Sequence, residues 1–312
     1  MLFRSNLPVT VPVGGTLRLL PDALLNLSCS AQSLAVDGTL DLQLGSRLRV
    51  DGCNRKTVSI AAGAALLGNG TLRLDSANLV LAAGDWNSPI HLQPDAGANI
   101  SVPGVFTIPD GSSVSGSLSA AAFVVPPGAN VAIGNANLSS RLTIGANATV
   151  DFFSHTSAAA LTAEPGSTNN IARFITLTLN GPSTNRGTLR LGSRNDGGHI
   201  NGSGSLVNEG LLEVFAREPV SSGSEATFNL PVTVPVGGTL RLLPDALLNL
   251  SCSAQSLAID GTSTSSWAHA SVSMDAMPSP SAWDPAPQPP GRERFNSMAA
   301  TPSAWKIGRA HV

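Results

Sequence analysis

Along most of this chain apolar residues recur at every second position in short runs, each bounded by Gly, Pro, Asn or Asp. In GGTLRLLPDALLNL, which starts at Gly14, Leu17 and Leu19 share one side, Pro21 and Asp22 turn the chain, and Leu25 and Leu27 resume the alternation. GTLDLQLGSRLRVDG from Gly38 and GNGTLRLDSANLVLAAG from Gly68 have the same form. Period-two alternation over four to seven residues between turn formers is the mark of short, half-buried strands. Windows of comparable length carry no 3.6-residue period, so little helix is expected. The middle of the chain keeps the idiom in VPGVFTIPDGSSVSGSL (102–118), PPGANVAIGNANLSSRLTIGANATVDF (126–152), GTLRLGS (187–193) and GSGSLVNEGLLEV (202–214). Each of these reads as strand, turn, strand.

The pattern is organised around one exact recurrence. Residues 6–39, NLPVTVPVGGTLRLLPDALLNLSCSAQSLAVDGT, return at 229–262, offset by 223 positions, with Ile259 in place of Val36 as the single change. The identity stops sharply at Ser5 against Phe228 and at Leu40 against Ser263. GTL or GSL anchors at Gly15, Gly38, Gly70, Gly116, Gly187 and Gly238, with the GTS at Gly261, are separated by 23, 32, 46, 71, 51 and 23 residues. Several gaps approach multiples of a rung of about 23 residues, the scale of stacked repeats. The irregular ones predict loops inserted near 84–89 and 155–170.

The reading is an all-β chain, a parallel and right-handed β-helix or solenoid with a disordered C-terminal tail. Equivalent Leu and Val positions form internal ladders, and Gly or Asn takes the corners that need positive φ. A sandwich would call for longer strands and an aromatic core. The boundaries expected are a non-repeat, truncated start at 1–5, one solenoid repeat unit at 6–228, the start of a second copy at 229–262, and a disordered tail at 263–312. The tail is rich in Pro, Ser and Ala, has no alternation, and cannot bury enough apolar surface to order itself. It ends in IGRAHV, residues 307–312, a peptide encoded by a common sequencing adapter, so the tail is read as read-through of non-coding or frame-shifted DNA.

Composition narrows the function classes. Only 12% of the 312 residues are charged, about half the usual share. Net charge is -2, and the arginines (Arg18, Arg47, Arg49, Arg73, Arg190) stand singly on alternating strands, read as one solvated face. Phosphate recognition needs clustered cations, so nucleic acid is not an expected partner. No run reaches the roughly 18 apolar residues of a membrane helix, and MLFRSNLPVTVP lacks the apolar segment of a secretory signal. The three cysteines (Cys29, Cys53, Cys252) have no CxxC or Cys/His spacing, so neither metal nor cofactor is expected.

Catalytic chemistry on a β-helix needs carboxylates converging on one face beside a basic group. The one candidate loop is Arg194-Asn195-Asp196-Gly197-Gly198-His199, with Asp196 and His199 as its acid and base. The polygalacturonase pattern wants paired aspartates and a separate basic motif downstream, and neither is present. Asp37, Asp51, Asp110 and Asp260 precede Gly and read as turn formers, while His91 and His155 stand alone in loops. Trp86, the one Trp outside the tail, reads as packing. Sequons at Asn26, Asn69, Asn99, Asn137, Asn147, Asn201 and Asn249 are possible glycosylation sites, expected at solenoid corners.

The GTL-x-L…G-x-x-L-x-V-x-G idiom, running through residues 8–262, resembles the β-helical passenger regions of filamentous-haemagglutinin and autotransporter-type adhesins, within the wider pectin-lyase-like grammar of parallel solenoids. The resemblance implies an extended, non-catalytic surface or secreted fibre that binds extracellular glycans or proteins. On this reading the chain is a structural or adhesive module of a longer tandem-repeat protein, at the cell surface or outside the cell, which self-associates through exposed solenoid edges. The alternatives are a carbohydrate-active β-helix enzyme of lyase or hydrolase type, and a truncated or artefactual reading frame with no function of its own.

Overall fold

The computed structural model describes residues 2–5, 8–27, 33–51, 56–192, 197–215, 226–243, 246–250, 257–265 and 271–274, with backbone alone at 2–5, 265 and 271–274. Among these residues the chain is an all-β parallel solenoid without helix. It divides into two compact units, Met1–Ser167 and Thr168–Val312.

In the first unit the alternating runs become rung strands, and strands one rung apart pair in parallel. One ladder joins Leu2–Ser5, Leu24–Leu27, Arg47–Asp51, Thr71–Asp75 and His91–Pro94. A second joins Val9–Val11, Leu34–Val36, Thr57–Ile60, Asn78–Leu81 and Asn99–Ser101, then continues through Ser113–Ser119 and Asn130–Ile144. A third joins Thr16–Leu19, Thr39–Leu42 and Ala65–Leu67. Because side chains alternate across a strand, one set from every strand points inward. Leu27, Val50 and Leu74 stack rung on rung with no exposure, and Leu40 and Leu42 of the third ladder are as fully buried. Each such leucine contributes roughly 2 kcal/mol by leaving water.

The stretch at 84–89 is a loop, as expected, but its Trp86 turns inward and bridges to Phe106. The Trp86 ring stacks on Phe106 at 5.9 Å, and Phe106 meets Phe123 edge-on at 6.0 Å. All three are buried, which settles Trp86 as core. The loop expected at 155–170 is absent. Thr156–Ala163 and Thr168–Ile171 are strands, and the first pairs with Asn130–Ile144. The anchors are unevenly spaced because they fall on different ladders, Gly38 ahead of Thr39–Leu42 and Gly70 ahead of Thr71–Asp75, and because rung length varies. Thr16 pairs with Thr39, 23 residues on, whereas Val105 pairs with Ala122, only 17 on. Asn130–Ile144 is one continuous 15-residue strand, bent at Asn135 (φ 50°), where a strand-turn-strand was expected.

The second unit is built the same way. Leu189 and Leu191, Leu212 and Val214, and Leu240 and Leu242 form an inner column along Thr188–Leu191, Leu211–Val214 and Thr239–Leu242. Ile200, Phe228 and Leu250 belong to a neighbouring one along His199–Asn201, Ala226–Asn229 and Leu247–Leu250. On the third side the interior holds amides. Asn185 and Asn208 are fully buried, and Asn185 Nδ2 donates to Asn208 Oδ1 at 2.7 Å and to Gly187 O at 3.1 Å. Asn208 repeats the motif on Gly210 O at 3.0 Å. The carboxamides thus give the corner carbonyls a second donor, since Gly187 O also accepts from Leu211 N at 2.9 Å and Gly210 O from Thr239 N at 2.8 Å.

The ladders pass through Asn229, where the sequence repeat restarts, with no break in pairing. They run on into Thr262–Ser265 and Ser271–Met274, inside the stretch expected to be tail. The rest of that tail, with residues 307–312, lies outside the described residues, as do Cys29, Cys53 and Cys252.

Candidate functional site

The outward-facing residues of the first unit are sorted by chemistry, ladder by ladder. On the second ladder register aligns Thr57, Asn78, Asn99, Ser117, Asn137 and Ser157 in one column. Beside it stand Ser59, Val80, Ser101 and Ser119. Neighbouring rungs lie about 4.8 Å apart, so each column is a regular file of hydroxyls and carboxamides. Asn99 Nδ2 donates to Asn78 Oδ1 at 3.1 Å, and Ser157 Oγ donates to Asn137 Oδ1 at 2.8 Å. A shallow open groove of about 340 Å³ runs along these columns, lined by Asn78, Asn99, Ser101, Ser117, Ser119 and Asn137. No residue in either column carries a charge. The surface can hydrogen-bond a neutral polar ligand and offers no acid or base to it.

Outward columns of the first and third ladders carry charge. Asn26, Arg49, Arg73 and Gln93 share a column on the first ladder, and Asp75 accepts from Arg49 Nε and from Arg73 Nε, the latter at 2.7 Å. Burial works to raise the Asp75 pKa, but the hydrogen bonds and charges of Arg73 and Arg49 outweigh it and hold the carboxyl below its ordinary value. The same hydrogen bond raises the Arg49 pKa. Arg18 belongs to the third ladder, where its Nε donates to the buried Asp41 at 2.7 Å. The arginines therefore do not form one solvated face. Sequence parity gives in or out, but only rung register tells which ladder carries a residue.

The Asp196–His199 pair is only half visible. Asp196 lies outside the described residues, and so do Arg194 and Asn195. His199 is half-buried and begins the strand His199–Asn201, in register between Thr176 and Thr227. Asp110, Asp95 and Asp85 serve as corner fastenings, each taking a backbone amide one rung away. Asp110 Oδ1 accepts from Asn130 N at 2.7 Å, Asp85 Oδ1 from Val105 N at 2.7 Å, and Asp95 Oδ1 from Ser76 N at 2.8 Å. His91 lines a polar cleft with Asn69, Asn87, Thr107 and Asp110, its ring packed over Gly111.

Corners hold only Asn69 and Asn147 among the seven sequons. Asn26, Asn99, Asn137, Asn201 and Asn249 lie within strands. Asn69, Asn99, Asn137 and Asn147 are exposed, and the other three are half-buried. Asn99 and Asn137 belong to the neutral columns. The groove itself was missed at the sequence level, and its one signal is Asn or Ser recurring at outward positions of successive runs.

No protein-family model matches this chain, and no curated protein matches it.

Proposed function

We propose that the chain is a non-catalytic structural and adhesive module of a longer tandem-repeat protein, working at the cell surface or outside the cell. One observation carries the reading. The repeated block builds the same strands in both places: Val9–Val11, Thr16–Leu19, Leu24–Leu27 and Leu34–Val36 recur as Val232–Val234, Thr239–Leu242, Leu247–Leu250 and Leu257–Ile259. Such a block extends a ladder without needing a unique partner sequence, as repeat architectures do. The uncharged Asn and Ser columns supply a contact surface, and their hydroxyls and amides suit extracellular glycans or polar protein loops. Self-association through open rung edges belongs to the same reading.

The test is binding and cleavage measured together. The immobilised chain is titrated with neutral and acidic polysaccharides, and each polysaccharide is sized before and after incubation. Saturable binding with unchanged polymer length is expected, and it weakens when Asn99→Arg and Ser117→Arg place charge in the groove. Shortening of any polysaccharide that disappears in Asp196→Asn or His199→Ala would establish the enzyme instead.

A further inference from the structure

The two copies of the block share one sequence but not one environment. In the second copy Thr239–Leu242 lies between Leu211–Val214 and Thr262–Ser265, and Val232–Val234 lies between Ser205–Asn208 and Leu257–Ile259. In the first copy, among the described residues, Thr16–Leu19 pairs only with Thr39–Leu42, and Val9–Val11 only with Leu34–Val36. Each strand therefore has one side without a partner strand among the described residues. The third strand of that rung is not: Leu2–Ser5 covers Leu24–Leu27 in the register by which Ala226–Asn229 covers Leu247–Leu250, Ser5 against Leu27 matching Phe228 against Leu250. Burial records the difference on identical residues. Val232 and Leu240 are 0% and 1% exposed, whereas their counterparts Val9 and Leu17 are only half-buried.

The charges point the same way. Glu213 stands in register with Arg190 and Arg241 and takes Arg190 Nε at 3.1 Å and Arg241 Nη1 at 3.5 Å. Arg241 is the counterpart of Arg18, whose carboxylate partner among the described residues is Asp41 of the following rung. Thr264 stands where Asp41 does, so Arg241 has its carboxylate from the preceding rung instead. The same arginine thus meets an acid from either side, and at Arg18 no described residue supplies one from the side of preceding rungs.

We infer that the open strands Val9–Val11 and Thr16–Leu19 are a docking edge for a preceding copy of the repeat unit. Strands equivalent to Ser205–Asn208 and Leu211–Val214 of that copy cover them, and its glutamate equivalent to Glu213 sits on Arg18. The occupant is supplied in tandem, because within this chain Leu211–Val214 is already covered by Thr239–Leu242. The inference rests on the tandem-repeat reading above, but its test is independent of ligand binding.

Hydrogen exchange on the intact chain is the first measurement. Peptides anchored in the unique flanks distinguish the copies, and the identical sequences have identical intrinsic rates. Amides of 9–19 are expected to exchange about tenfold or more faster than those of 232–242. Equal protection would show the edge needs no cover and would overturn the inference. Next, residues 197–228 are placed ahead of Asn6 in place of residues 1–5. Slowing of 9–19 to the rate of 232–242 supports docking, and a folded extended chain with 9–19 unchanged overturns it. A Glu→Arg change at the inserted counterpart of Glu213 should speed exchange at 9–19 again, and adding Arg18→Glu should restore it. If polysaccharide binding fails while these results hold, the adhesive reading falls and the docking edge stands.

Discussion

Gly202 has φ +130°, and a Cβ built on it would lie 2.0 Å from the Leu179 carbonyl oxygen, a backbone atom one rung away. Gly14 also has positive φ, +76°, but a Cβ there would meet nothing within 4 Å. Comparing the two separates conformational strain from the crowding of stacked rungs. Gly14→Ala should cost only the left-handed penalty, about 1 kcal/mol, and Gly202→Ala about 3 kcal/mol or more, as measured by urea unfolding. Equal costs would show that rung stacking does not restrict Gly202. Asp75 gives a second prediction at this scale. Its folded pKa is depressed by Arg73 and Arg49, so its contribution is fully present above the unfolded value near 3.9 and is lost as pH falls through the lower folded value. Asp75→Asn should therefore lower the melting temperature at neutral pH, with the gap to the parent closing below about pH 4. A gap constant down to pH 2 would assign Asp75 a role in packing alone.

Among the elements, the aromatic file of Trp86, Phe106 and Phe123 replaces the aliphatic columns where rungs are shortest. Phe106 is in contact with aromatic rings on both neighbouring rungs. Phe106→Ala should cost roughly 3–5 kcal/mol in chemical denaturation, and Phe106→Leu clearly less, because leucine refills part of the cavity. Similar losses for both would mean that ring stacking outweighs volume. Strand type was legible in the sequence because inward Leu and Val alternate with polar residues, as in Thr16–Leu19 and Thr71–Asp75. Rung length was not, because the corner residues that set it are the same Gly, Asn and Asp whether a rung has 17 residues or 23. The strand Thr156–Ala163 was hidden for a related reason. Its sequence, TSAAALTA, buries alanines, which give little apolar contrast to alternate. The Asn and Ser groove was illegible because its members come from four separate strands, and only register between rungs brings them side by side. Buried Asn185 and Asn208 read as turn residues by composition, and three-dimensional stacking makes them interior.

At the scale of the whole molecule, a stack of parallel rungs never closes on itself, so each end strand presents unpaired N–H and C=O groups that pair with whatever strand arrives. Among the described residues Val9–Val11 and Thr16–Leu19 pair on one side alone; their outward Thr10 and Thr16 are neutral and exposed, while Pro8 and Pro12 flank the first strand and Arg18, the one charge on the second, is held by Asp41. Leu17 adds half-buried apolar surface at the same edge. Hydrogen bonding and apolar burial therefore favour association, and with a net charge of only -2 over 312 residues long-range repulsion does little to oppose it. The chain should associate as its concentration rises, and Thr10→Lys with Thr16→Lys should raise the onset concentration by about tenfold, the effect of roughly 1.4 kcal/mol of like-charge and desolvation cost at the contact. Light scattering across a concentration series measures this, at low and at high salt. Salt should restore association of the double variant, because screening removes repulsion between exposed charges. If the parent chain stays monomeric at millimolar concentration, its edge is already protected and neither lysine will matter. If the variant associates exactly as the parent does, contact occurs elsewhere on the solenoid, and the groove face of Asn99 and Ser117 becomes the next surface to charge.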